Sequence, residues 1–289
     1  MHTIKETRKY QYDYHAEKFP FLNNWKRNPY TFLKSRFYME MSAILVFFLL
    51  KTRIKPNTIT VLYALSGIVG GILLAVALKT TCIIALIIFF TKGILDWSDG
   101  HLARITGQTS VTGHVLDVYG AFLNDLSLQT GLGFYVAAKT GNDLFYYLIP
   151  LIPFFYAAKL TTFSEIVIYE ELSKKGFVES LKHKPLDDSN THKTLENVKT
   201  GSLGKYRKCY ELFSMFLDAR ARSVDFICLL ILIELFTNIS VTWIIFIAFI
   251  LKGAISLLGG YLIILRKGLI EKTLDTIIYN IRNSFEEDK

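Results

Sequence analysis

The chain alternates long apolar runs with short polar, mostly basic breaks. A run of roughly 18 or more apolar residues crosses the ~30 Å hydrocarbon core of a bilayer as a helix. The pattern predicts six such helices, at about Thr58–Leu78, Cys82–Trp97, Val111–Ala138, Leu144–Phe163, Arg222–Phe236 and Val241–Leu265. Lys79–Thr81 and Lys139–Asp143 form very short turns between them. An earlier apolar run, Met39–Leu50, is too short to span comfortably. Lys34 and Arg36 precede it, and Lys51, Arg53 and Lys55 follow it, so it reads as an N-terminal interfacial amphipathic helix lying along the membrane surface. Pro56 then breaks the chain, and Asn57 or Thr58 can cap the first span. The fold class expected is an all-α integral membrane protein.

Composition agrees with that pattern. Of 289 residues, 51% are hydrophobic and 14% aromatic, and they are bunched rather than dispersed. The predicted organisation is a cytoplasmic extension over 1–37, a membrane domain over 38–265 interrupted by a charged insertion at 164–218, and a cytoplasmic tail over 266–289. The formal charge of +8 comes from basic residues that flank apolar spans, which points to an anionic membrane surface and not to nucleic acid. Among the predicted outward turns, only Lys79 and Lys139 are basic. The positive-inside rule therefore places both termini in the cytoplasm. The first apolar run starts too late for a cleavable signal peptide. Cys82, Cys209 and Cys228 share no metal-ligand spacing, and their odd number argues against a disulfide framework.

The chemistry gathers after the second span, in Asp96-Trp-Ser-Asp99-Gly100-His-Leu-Ala103-Arg104, followed by Gly113 and Asp117. Asp96 and Asp99 are three residues apart and share one helix face, while Asp117 opens the next, antiparallel helix. All three carboxylates can converge near the cytoplasmic interface. Carboxylates at a membrane helix mouth are unfavourable alone, and a hard cation such as Mg²⁺ relieves their repulsion. Gly100 and Ala103 are small enough for a ligand to approach, and Arg104 offers a fork of donors suited to phosphate. Together they describe a diphosphate site.

This segment resembles the signature of the CDP-alcohol phosphotransferases, D-x2-D-G-x2-A-R-x8-G-x3-D-x3-D, with Asp96, Asp99, Gly100, Ala103, Arg104, Gly113 and Asp117 each at the family's spacing. Pro56-Asn57-Thr58-Ile59-Thr60 is similar to the segment with which the family opens its first span. The resemblance covers roughly residues 35–265. It implies attack of an alcohol on the β-phosphorus of a CDP-linked lipid, release of CMP and formation of a phosphodiester. It further implies Mg²⁺ or Mn²⁺ held by Asp96, Asp99 and Asp117, and contacts to the CDP moiety from Gly100, Ala103, Arg104, Gly113, Asn57 and Thr60. The lipid bilayer and a homodimer are implied as partners, and the active site faces the cytoplasm.

One position departs from the signature. Its last aspartate, regarded as the base that deprotonates the alcohol, falls on Ala121. Asp125 lies one helical turn deeper and His114 about one turn toward the cytoplasm, so either can stand in for the lost carboxylate. Asp125 is the better placed by charge, and Asp125 with Asp117 forms the expected catalytic pair. The alternative is a catalytically impaired family member that binds CDP-lipid as a sensor or partner subunit. A transporter using Asp96, Asp125 and Lys252 fits the signature spacing poorly.

Other positions keep two readings. Arg220 and Arg222 are either acceptor-pocket cations or flanking positive charge. Lys92, one turn before Asp96, can neutralise it. His101 is expected in a solvated loop. Gly67, Gly70, Gly71, Gly259 and Gly260 are expected at helix-packing contacts.

Overall fold

A computed structural model describes residues 3–19, 25–26, 29–158, 167–168, 170–172, 174, 221–237, 239–267, 271 and 274–279. Helices are the only regular structure among these residues. They are α1 (Ile4–Lys18), α2 (Pro29–Leu49), α3 (Pro56–Ala75), α4 (Lys79–Ile105), α5 (Val111–Thr140), α6 (Leu144–Leu148), α7 (Leu151–Ala157), α8 (Ala221–Phe236) and α9 (Thr242–Lys267). The chain forms two compact units, one of Met1–Ile152 with Phe216–Phe249 and one of Pro153–Met215 with Ile250–Lys289.

The first unit is organised around α3, which packs along α5 and α4. Glycine makes the α3–α5 approach possible: a Cβ on Gly71 would stand 2.5 Å from the Ser127 carbonyl oxygen, and one on Gly131 2.5 Å from that of Gly71. Any side chain there would force the helices apart, as in the small-residue seams of membrane helices. Gly67 serves the same packing against Asn124, and Gly70 lets α3 approach Phe89 and Ile88 of α4. Among the described residues, a Cβ on Gly259 or Gly260 would meet no atom within 4 Å.

Among the described residues, three helices are long and apolar enough to cross a membrane: α3, α4 and Thr242–Leu262 of α9. The other predicted spans differ from expectation for identifiable reasons. α5 has 30 residues, roughly 45 Å at 1.5 Å per residue, but His114, Asp117, Asn124, Asp125 and Gln129 make it too polar to qualify. The predicted span 144–163 is divided into α6 and α7 around Pro150, which lacks the amide hydrogen a continuous helix would use; residues 159–163 lie outside the described residues. α8 is 16 residues, short of the ~20 a perpendicular span needs.

The expected interfacial helix is α2, which begins ten residues earlier than its apolar stretch, at Pro29. It packs on α4, and Lys34 on α2 forms a buried ion pair with Asp225 of α8 at 2.7 Å. Tyr30 Oη also donates to Asp225, at 2.5 Å, and the Lys34 ammonium stands 3.8 Å from the Phe90 ring centroid on α4. Buried Glu234 has a comparable role in closing α8 onto α9. It accepts from the Val241 and Thr242 amides and, at 2.8 Å, from the Thr242 hydroxyl, capping the start of α9.

Within the extension 1–37, Ile4–Lys18 and the start of α2 from Pro29 are helical despite their polar composition. α1 opens on a capping box: Glu6 N donates to Thr3 Oγ1 at 3.2 Å, and Thr3 N donates to Glu6 Oε2 at 2.8 Å. It packs against α2 and α4, and Arg8 pairs with Glu40 of α2 at 2.8 Å. The insertion at 164–218 falls mainly outside the described residues, as do Cys209 and most of the tail.

Candidate active site

The second helix continues eight residues beyond its predicted end at Trp97, to Ile105, so the Asp96–Arg104 segment is helical and not a polar loop. Burial explains the continuation. Ser98, Asp99, His101 and Leu102 are all buried, and a helix satisfies its own backbone groups where water cannot. His101, expected in a solvated loop, is fully buried (0% exposed). Its ring lies parallel to that of Tyr10 on α1, with centroids 6.1 Å apart. Gly107, at φ +67°, then reverses the chain. Ser110 caps α5 by accepting from the Gly113 amide at 3.0 Å.

The end of α4, the 106–110 loop, the start of α5 and the start of α3 enclose a cavity of about 220 Å³. It is lined by Pro56, Asn57, Thr60, Asp99, Gly100, Ala103, Arg104, Gln108, Thr109, Ser110, Gly113, His114 and Asp117. Among the residues predicted from sequence, Asn57, Thr60, Asp99, Gly100, Ala103, Arg104, Gly113 and Asp117 are thus brought together. Gln108, Thr109 and Ser110 were missed. They lie in the x8 gap of the signature, where identity carries no signal and only the loop's return path places them.

Asp99 is held on both oxygens. Thr60 Oγ1 donates to Oδ2 at 2.6 Å, and the Gly100 amide donates to Oδ1 at 2.5 Å. The Pro-Asn-x-Ile-Thr segment and the signature therefore form one construction, in which Thr60 orients Asp99. The two signature glycines leave room for side chains of the site. A Cβ on Gly100 would lie 3.0 Å from Arg104 Nη1, and one on Gly113 3.2 Å from Asn57 Oδ1 and Ser110 Oγ.

Asp96 is close enough to Asp99 and Asp117 for their charges to act on one another, but it is not part of the cavity lining. Lys92 also acts on Asp96, as expected from their spacing, and on Asp125. Asp125 lies outside the cavity lining and accepts from Gln129 Nε2 at 2.9 Å. His114 is in the lining, and its charge acts on Asp117. Ala121 is exposed on α5 and does not reach the cavity lining. Arg220 lies outside the described residues, and of Arg222 only the backbone, at the start of α8, is described.

The donor set suits a hard divalent cation, since it offers carboxylate oxygens and no sulfur. Among the described residues, however, no group of three or more His, Cys, Asp or Glu side chains is gathered closely enough to hold a metal ion. The expected three-aspartate ligand set is therefore not assembled in this arrangement.

The family model for CDP-alcohol phosphatidyltransferase matches residues 53–163. Residues 53–163 are thus similar to the CDP-alcohol phosphatidyltransferases. The match contains α3, α4, α5 and the whole cavity lining, and it leaves α1 and α2 outside. No curated protein matches the chain. The cavity lies inside the matched residues, where three helix ends meet around the signature.

Proposed function

We propose that the protein transfers a phosphatidyl-type group from a CDP-linked lipid to an acceptor alcohol and releases CMP, in phospholipid biosynthesis. The observation that carries the reading is the common cavity of Asn57, Thr60, Asp99, Gly100, Ala103, Arg104, Gly113 and Asp117 within the matched domain. The starts of α3 and α5 both open on that cavity, so two positive helix-dipole ends favour an anion there. Arg104 adds a guanidinium fork, and the small Gly100, Ala103 and Gly113 leave room for a diphosphate.

The cavity's own charges do not suffice for that ligand. Asp99 and Asp117 together outweigh Arg104, which would repel a diphosphate. Asp96, Asp99 and Asp117, drawn closer together than in the arrangement described, would hold Mg²⁺ or Mn²⁺, which would supply charge neutralisation and alignment of the attacking and leaving oxygens. Thr60 keeps Asp99 oriented, and Asn57 and Gly113 lie side by side in the lining. A proton acceptor must serve the alcohol, since Ala121 has none. His114 faces the cavity, whereas Asp125 is engaged with Gln129, so His114 is the better supported of the two stand-ins. Arg220 and Arg222 would supply positive charge to the acceptor.

The protein is proposed to cross the membrane several times, with the cavity and both termini on the cytoplasmic side, and to work as a homodimer. A second reading, a member that binds CDP-lipid without turnover, is favoured by Ala121 alone. The test is release of CMP from CDP-diacylglycerol by purified protein, with and without Mg²⁺ or Mn²⁺, across a panel of acceptor alcohols. Metal-dependent release with one acceptor supports the transferase. CDP-lipid binding without release under any condition supports the second reading.

A further inference from the structure

Helix α1 lies outside the matched domain, yet it reaches the signature arginine. The Arg104 guanidinium stands 3.9 Å from the centroid of the Tyr14 ring, within stacking range. Its Nη2 donates to Gln11 Oε1 at 3.4 Å. Gln11 is fully buried and is itself tied to α2, where its Nε2 donates to Ser42 Oγ at 3.4 Å. On the other side the guanidinium rests above Gly100. The buried Nε of Arg104 has no partner among the described residues, although the side chain lines the cavity. His15, one turn after Gln11, stacks on Trp97 of α4 with centroids 4.6 Å apart and keeps α1 against the signature helix.

We infer that Gln11 and Tyr14 are positioning residues that hold Arg104 ready for the phosphates of the nucleotide, so that the N-terminal arm completes a binding site the matched domain leaves unfinished. The inference rests on the functional reading above. A free arginine loses most of its rotamer freedom when it binds a phosphate. Here a ring face and an amide oxygen fix the plane of the guanidinium beforehand. Gly100 has a second role in this arrangement, because a side chain there would crowd the guanidinium away from Tyr14.

The test is CDP binding to the full-length protein in lipid nanodiscs with Mg²⁺, measured by calorimetry. Tyr14→Leu is expected to weaken binding about fivefold to tenfold, in the range of a partly buried cation–ring contact. Tyr14→Phe, which restores the ring face, is expected to recover most of that loss. In an Arg104→Ala background, Tyr14→Leu should add nothing, because the residue it positions is gone. Equal losses in both backgrounds would show a merely structural contact and overturn the inference, as would wild-type affinity in Tyr14→Leu. Tighter binding would overturn it too, by showing that α1 withholds Arg104. If Tyr14→Leu fails to fold, the same cycle run with Gln11→Leu decides. If Arg104→Ala weakens binding while both arm variants are silent, only this inference falls. If wild type binds no CDP, the functional reading falls and takes the inference with it.

Discussion

Thr60 and Asp99 show how single side chains set this site. They stand 39 positions apart in sequence and 2.6 Å apart in space, and both had been singled out from short spaced patterns. Their bond was not readable, since spacing along one helix says nothing of register against another. Asp99→Asn should leave Thr60 an acceptor and keep the fold, while abolishing metal-dependent CDP binding; unchanged binding in titrations with and without Mg²⁺ would remove Asp99 from the ligand set. The departure at Ala121 was legible, but the choice of substitute was not. Helical phase put His114, Asp117 and Asp125 on one stripe, and depth along the helix, which phase does not give, put only the first two in the cavity. His114→Gln is therefore expected to lower turnover about 100-fold, typical of a lost general base, with CDP binding retained. Asp125→Asn should act mainly on stability, by about 1–3 kcal/mol, because it disturbs a partly buried polar contact with Gln129. Equal kinetic damage from the two variants would reinstate Asp125.

At the scale of elements, apolar runs announced most of the helices, and burial decided where they stop. α4 passes through a stretch that looks like a loop because its polar residues face protein and cavity instead of water. α1 carried a readable start in Thr3-Ile4-Lys5-Glu6, the spacing of a capping box, but no apolar stripe follows it. Its buried face is Thr7, Gln11 and His15, polar residues at helical spacing that no hydrophobic pattern detects. His15 gives this arm a pH dependence. Burial, and then the nearby Arg104 charge, lower its pKa from 6.5 to about 4. An undocked His15 therefore takes up a proton that the docked one refuses. Docking is fully supported above about pH 6.5 and weakens as the pH falls from there toward 4. Hydrogen exchange of the α1 amides, corrected for intrinsic rate, should speed up across that window. The acceleration should flatten in His15→Phe, which keeps a ring against Trp97 but has no proton to gain. An unaltered profile in that variant would assign the effect to carboxylates such as Glu40.

For the whole molecule, the cavity supplies a direction that hydropathy alone does not. α3 begins at it, α4 ends at it and α5 begins at it, so these three helices alternate in direction. Their other ends, at Ala75, Lys79 and Thr140, share the opposite face. Two contacts put the end of α8 on that face as well. The Lys79 ammonium lies 4.0 Å from the Phe236 ring centroid, and Lys139 Nζ donates to the Glu234 carbonyl at 2.9 Å. Both basic residues of the predicted outward turns are thus engaged at one end of the first unit, while the signature, Arg104 and α1 occupy the other. Basic residues near span ends favour the cytoplasmic side, and two lysines are a weak counterweight to the many on the cavity side. The arrangement predicts that Gln108→Cys and Asn142→Cys label from opposite sides of sealed vesicles. Gln108, on the loop that lines the cavity, should react with an impermeant maleimide only from the cytoplasmic side. Asn142, just past the αL cap at Gly141, should react only from outside. Cys82 and Cys228 are buried, but they and Cys209 should be replaced so that each label reports one position. Labelling of both positions from one side would mean that α5 does not cross the bilayer. Its polar residues would then belong to an interfacial helix, and the cavity would open along the membrane surface.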